Sequence, residues 1–192
     1  MPTLPCGNSE WPPICPAMTF PTPITAPLKL AKDEGVHDLW WPYGPAVGRY
    51  TVKANAETSR GALIQLLVRE SRGAAVPLHV HHDTDETFYV ITGAMTVEIG
   101  GERFEARAGD YVFAPRGVPH RWTVTSETAE VFVTCGPAGT EGPSGVGLDA
   151  FFREVADPVG EGEKPSPRMR DEDFARRMMT YNIELLGPPL SL

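Results

Sequence analysis

Between residues 48 and 135 the chain falls into eight short runs rich in β-branched and aromatic residues: "GRYTVKA", "ALIQLLVRE", "TFYVITG", "MTVEI", "ERFEAR", "YVFAP", "RWTVT" and "EVFVTC". Runs of this length and composition read as strands, and the breaks between them carry turn chemistry. Gly100-Gly101 can supply positive φ at both centres of a two-residue hairpin loop. Ala108-Gly109-Asp110 and "APRGVP" mark the next two corners. Successive strands are therefore expected to be antiparallel. In "MTVEI", Met95, Val97 and Ile99 share one face and Thr96 and Glu98 the other, the period of a sheet covered on one side. So many short antiparallel strands predict an all-β chain closed as a small barrel or jelly roll.

The flanks differ in character. Residues 1–26 are rich in proline and lack a periodic apolar pattern, so they read as a flexible N-terminal arm, with Met18 a candidate for the natural start of translation. Residues 27–140 are assigned to the barrel. Residues 141–192 are assigned to a C-terminal loop and one or two helices, "LDAFFREVA" and "MRDEDFARRMMTYNIELL", packed on it. In the second of these, Phe174, Met178 and Met179 form the apolar stripe. Trp40, Trp41 and Tyr43 precede the barrel on a proline-bearing segment and are candidates for a lid across its mouth or, equally, for a seal along the barrel edge.

Composition excludes several classes. The chain has 17 basic and 25 acidic residues, a formal charge of −8, and no Lys/Arg block to track a phosphate backbone. Nucleic acid and membrane are not expected partners. No apolar run reaches the roughly 20 residues of a membrane span, and the N-terminus has no secretory signal pattern, which makes the cytoplasm the expected location. Three cysteines, Cys6, Cys15 and Cys135, give neither a disulfide framework nor a zinc ribbon. Cys135, inside "EVFVTCG", reads as a buried structural thiol.

Against this background "HVHHDTDE", residues 79–86, gathers three of the chain's five histidines and an acid. Residues two apart on a strand point to one side, so His79 and His81 pair while His82 faces away. A turn through Asp83–Asp85 returns Glu86 toward the two imidazoles, and "PRGVPH" delivers His120 at the head of another strand. His37 and His82 are read as ordinary surface histidines. Three imidazoles and a carboxylate form an N3O donor set suited to one divalent first-row metal, such as iron, manganese, nickel, cobalt or copper. Alternation along the strands then suggests Phe88, Trp122 and Met95 as substrate-facing residues. Gln65, polar in an apolar strand, is a candidate contact beside the metal or equally a solvent-facing residue.

These segments resemble the two motifs of the cupin superfamily. The first, G-x5-H-x-H-x3,4-E-x6-G, is met from Gly73 to Gly93 in "GAAVPLHVHHDTDETFYVITG". The second, G-x5-P-x-G-x2-H-x3-N, is met from Gly109 in "GDYVFAPRGVPHRWTV", except that Val124 stands in place of its final Asn. The overall layout is similar to single-domain bacterial quercetinase-like cupins. That resemblance implies a flavonol 2,4-dioxygenase, in which Glu86 takes the proton of the substrate's 3-hydroxyl before dioxygen reacts and carbon monoxide is lost. It also implies a small aromatic substrate, dioxygen as co-substrate and a homodimer. Two other readings stay open at this stage: a redox-neutral cyclase, isomerase or lyase acting on a polyketide-like or β-dicarbonyl compound, and a non-catalytic barrel that binds a small molecule.

Overall fold

The computed structural model describes residues 28–138, 148–160, 164–168, 170 and 172–192. The proline-rich arm, Met18 and most of the loop after Ala138 lie outside these residues. Among the described residues twelve strands form two antiparallel sheets. The first sheet contains β1 (His37–Trp41), β2 (Gly48–Ala54), β3 (Ile64–Ser71), β5 (Asp85–Thr92), β8 (Tyr111–Ala114), β10 (Thr128–Gly136) and β11 (Asp157–Pro158), in the order β11-β1-β2-β3-β10-β5-β8. The second contains β4 (Ala75–His81), β6 (Ala94–Ile99), β7 (Glu102–Arg107), β9 (His120–Val124) and β12 (Ile183–Gly187), in the order β12-β4-β9-β6-β7. The helices among the described residues are α1 (Ala56–Ser59), α2 (Asp149–Val155) and α3 (Glu172–Thr180). The all-β jelly roll expected from the strand pattern is the fold.

Alternation builds the core between the sheets. On β5 Glu86, Phe88 and Val90 turn inward, while Tyr89 and Ile91 stay exposed. Leu66 and Val68 from β3, Met95 and Val97 from β6, Trp122 and Val124 from β9 and Val131 and Val133 from β10 complete the interior. Gly100 and Gly101 both take positive φ, 59° and 89°, and close the β6–β7 hairpin with Ile99 opposite Glu102, as the dipeptide predicted.

Gly93 is required by space as well as by conformation. Its φ is +83°, and a Cβ there would come within 2.2 Å of the Thr128 carbonyl oxygen. Gly93→Ala is expected to destabilise the protein by about 2–3 kcal/mol, from left-handed strain plus overpacking. A thermal midpoint within a degree or two of wild type would show that the neighbouring turn yields.

Three elements depart from the sequence reading. The aromatic lead-in is no lid: His37–Trp41 is a strand paired with β2 and β11. The second C-terminal helix stops at Thr180 because Asn182 adopts φ +58°, and Ile183–Gly187 then pairs with β4 as a strand. The alternating burial of "IELLG" fits that pairing, whereas a 3.6-residue period would have bridged Asn182. Helix α1 was not anticipated; Asn55 caps it, accepting from Thr58 N while Thr58 Oγ1 accepts from Asn55 N. The "LDAFFREVA" helix is present, and with α3 it packs Leu148, Phe151, Val155, Phe174 and Met178 into the core. Met179 is exposed instead. Among the described residues no helix is long and apolar enough to cross a membrane.

Candidate metal centre

Strand β4 places His79 and His81 on its inner face, both buried, and sends His82 outward, where its Nε2 lies 3.0 Å from Glu184. Strand β5 supplies Glu86, and β9 begins with His120 directly opposite His79 in the register. One set of contacts locks the two sequence segments together. Arg116 grips Asp85 with Nε and Nη2 at 3.0 and 2.8 Å, its amide donates to the same carboxylate, and the Gly117 amide donates to the His81 carbonyl. Those hydrogen bonds from Arg116 hold the Asp85 carboxyl down at about 2. The turn that delivers His120 is thereby fixed to the turn that delivers Glu86.

Backbone carbonyls orient the imidazoles. His79 Nδ1 lies 2.8 Å from the Pro77 carbonyl and His120 Nδ1 lies 3.0 Å from that of Val118. An Nδ1–H donated to a carbonyl leaves the Nε2 lone pair turned to the centre, the usual support of a metal-binding histidine. His79 Nε2 is 3.2 Å from His81 Nε2, and Glu86 Oε2 is 2.9 Å from His120 Nε2 and 3.5 Å from His81 Nε2. The four candidate ligand atoms lie within 4.8 Å of one another, and all four residues are buried. A buried cluster of nitrogen lone pairs around one carboxylate has the chemistry of a divalent-cation site, so the donor set fits the metal expected from the sequence.

Electrostatics agree with that arrangement. Burial, reinforced by His120 and His81, pushes His79 down to about 3, so it is a neutral donor at physiological pH. Burial alone would raise Glu86, but hydrogen bonds and charge from His120 and His81 outweigh it and hold the group ionised. Cys135 sits opposite Glu86 in the β10–β5 register, with its Sγ 3.7 Å from Glu86 Oε1. The thiol is buried, as expected, and it also steadies the second oxygen of the acid. Val124, at the motif position where an Asn is usual, is a fully buried core residue of β9, which explains why an apolar side chain serves there.

His79, His81 and Glu86 open onto a cavity between the sheets, with His120 just behind them. Phe88 and Trp122 line it, as the alternation suggested. Gln65 does not: the cavity is lined by its neighbour Leu66, whose side chain points to the opposite face of β3. Met95 is buried beside a smaller void deeper in the barrel, so it too lies off the main cavity. The rest of the wall could not be placed from sequence. Trp41 stacks on Tyr50 at 5.0 Å and 7°, and Phe151, Phe152, Phe174, Met178 and Ile183 close that side. Trp41 and Tyr50 lie more than 100 positions from the other five, and no local pattern announced that the two groups meet. The hydrophobic spacing of the two C-terminal helices was the available signal.

Residues 66–135 match the family model of the cupin domain. The quercetin 2,3-dioxygenase of Bacillus subtilis is 37% identical to the chain over 163 residues, covering 83% of the chain and 44% of that protein. The chain thus spans less than half the length of this relative. Among solved structures, a Thermotoga maritima protein named as a predicted oxalate decarboxylase superposes with a TM-score of 0.52 at 18% identity, over 57% of this chain and 98% of that one. That likeness bears on the fold alone.

Proposed function

The chain carries a cupin domain and resembles bacterial quercetinases, and from that premise we propose that it is a metal-dependent dioxygenase acting on a planar aromatic or enolic substrate of flavonol type. The observation that carries this reading is the position of an ionised carboxylate and two imidazoles at the wall of an aromatic, largely apolar cavity, with a third imidazole directly behind them. His79, His81, Glu86 and His120 would hold the metal, which when bound supplies Lewis acidity and a place for dioxygen beside the substrate.

The chain's own residues account for the remaining steps. Phe88 and Trp122 present flat apolar surfaces next to the donors, suited to clamping an aromatic ring edge-on or face-on. Glu86 is the group placed to take the proton of an enolic hydroxyl, its Oε1 steadied by Cys135. Proton transfer from the hydroxyl oxygen to the carboxylate leaves an enolate, the electron-rich species that oxygen chemistry needs. Trp41, Phe151 and Phe174 line the same chamber with apolar surface, which keeps water from competing for the enolate.

Metal-reconstituted protein given quercetin is expected to consume oxygen in step with loss of flavonol absorbance, and His79→Ala protein to do neither. Substrate turnover without oxygen uptake would replace this reading with redox-neutral metal chemistry, such as isomerisation or cyclisation. Saturable quercetin binding with no turnover under any of several metals would leave a small-molecule-binding barrel.

A further inference from the structure

Arg170 is a cation set into the wall of an aromatic chamber. It precedes α3, on a segment docked against the end of β1 through the Arg168 amide, which donates to the Pro42 carbonyl at 2.6 Å. Its Nη2 donates to the Ala75 and Tyr43 carbonyls at 2.7 and 3.2 Å, which fixes the guanidinium plane. The group lies 5.8 Å from the centre of the Phe174 ring and lines the same cavity as His79, His81 and Glu86. None of those donors hydrogen-bonds it. Arg170 Nε is buried and has no hydrogen-bond partner.

A buried guanidinium is tolerable when a carboxylate neutralises it, and truncated pairs are costly because one charge is left alone. No carboxylate of the described residues lies within 4.0 Å of Arg170. The acid that acts on it is Glu70, whose carboxyl is pushed up to about 8 by burial and therefore holds its proton at neutral pH. Two neutral backbone carbonyls hold the cation without discharging it. The chamber is thus built with a fixed positive charge on a wall that, beyond His79, His81 and Glu86, is aromatic and aliphatic.

We propose that Arg170 is a substrate-recognition residue and that the natural substrate of this cavity bears an anionic oxygen group, a carboxylate or an ionised phenol, in addition to its planar apolar body. The guanidinium takes that group, charge-assisted and desolvated, while the ring system lies among Trp41, Phe151 and Phe174. This deepens the reading given above by naming the substrate class. A neutral flavonol would then be a tolerated substrate, and an acidic analogue the better one.

The test is calorimetric titration of the metal-reconstituted full chain with two probes of one shape, 2-naphthoate and 2-naphthamide. Wild type is expected to bind the carboxylate at least about tenfold more tightly than the amide. Arg170→Gln should bring that ratio close to one while metal content stays at the wild-type level. Arg170→Lys, which keeps the charge, should retain most of the preference. A wild-type ratio near one overturns the proposal without any variant, and so does a preference that persists in Arg170→Gln, because the carboxylate would then be held elsewhere, for instance by the metal. The ratio is read at equilibrium without turnover, so failure of oxygen uptake with quercetin would sink the dioxygenase reading and leave this one standing.

Discussion

Glu86→Ala and His79→Ala proteins are expected to lose bound divalent metal, with affinity falling by more than about a hundredfold in each, since even the loss of an outer hydrogen-bonding partner costs a metal site ten- to a hundredfold. The two substitutions act differently. Removing His79 deletes a neutral nitrogen whose lone pair is fixed by its bond to Pro77. Removing Glu86 deletes the negative charge in the cluster, leaving three imidazoles to face a dication alone. Metal per chain, measured by elemental analysis after equilibration with a first-row divalent ion and dialysis, reads both. His82→Ala is the control. It lies on the same stretch of sequence but faces solvent beside Glu184, and its metal content should match wild type. Unchanged stoichiometry in the Glu86 and His79 variants would reject the site.

The second large effect is on stability, and it comes from Glu70. Its carboxyl is buried on β3, with the Tyr50 hydroxyl near enough to temper the effect of that burial. One oxygen, Oε2, has no partner at all. Gly48 makes room for it: a Cβ there would lie 2.4 Å from the carboxyl group. Burial raises the folded pKa to about 8, so the folded state binds a proton that the unfolded chain releases near its ordinary value of 4.5. The cost of carrying Glu70 is therefore absent at about pH 4, grows as pH rises toward 8, and is constant above it. A shift of this size is worth on the order of 4 kcal/mol at the alkaline end. Glu70→Gln is neutral at every pH and should unfold at a higher temperature than wild type at pH 9, with the advantage shrinking to nearly nothing at pH 5. A pH-independent difference between the two proteins would mean that Glu70 is solvated or ion-paired in solution.

Much of the candidate metal centre was legible because its four donor residues are set by local rules. His79 and His81 are two apart on one strand, so the strand period alone puts them on one side. The turn at Asp83–Asp85 and the rigid "PRGVPH" corner do the rest, and the structure places His120 opposite His79 in the register. Phe88 and Trp122 follow by the same alternation from Glu86 and His120. The alternation failed where its phase had no anchor. Gln65 had no ligand beside it to say which face of β3 was inner, and it lies on the face away from Leu66 and the cavity. Met95 was on the inner face as expected, but depth along the barrel axis decides whether an inner residue meets the cavity, and a period of two carries no depth.

The sequence by itself determined the strand-rich class, the hairpin at Gly100-Gly101 and the four donors, because each depends on neighbours within a few positions, where backbone geometry leaves little choice. Tertiary structure alone decided the chamber beside them. Trp41, Phe151 and Phe174 meet only after two C-terminal helices fold back on β1. Arg170 has meaning only there, since a charged residue in a polar, proline-rich stretch reads as solvated until packing buries it. Ile183–Gly187 likewise became a strand because β4 offered it an unpaired edge beside His79 and His81. Desolvation and edge pairing depend on which distant segments arrive, and that is settled by the packed chain rather than by any local pattern.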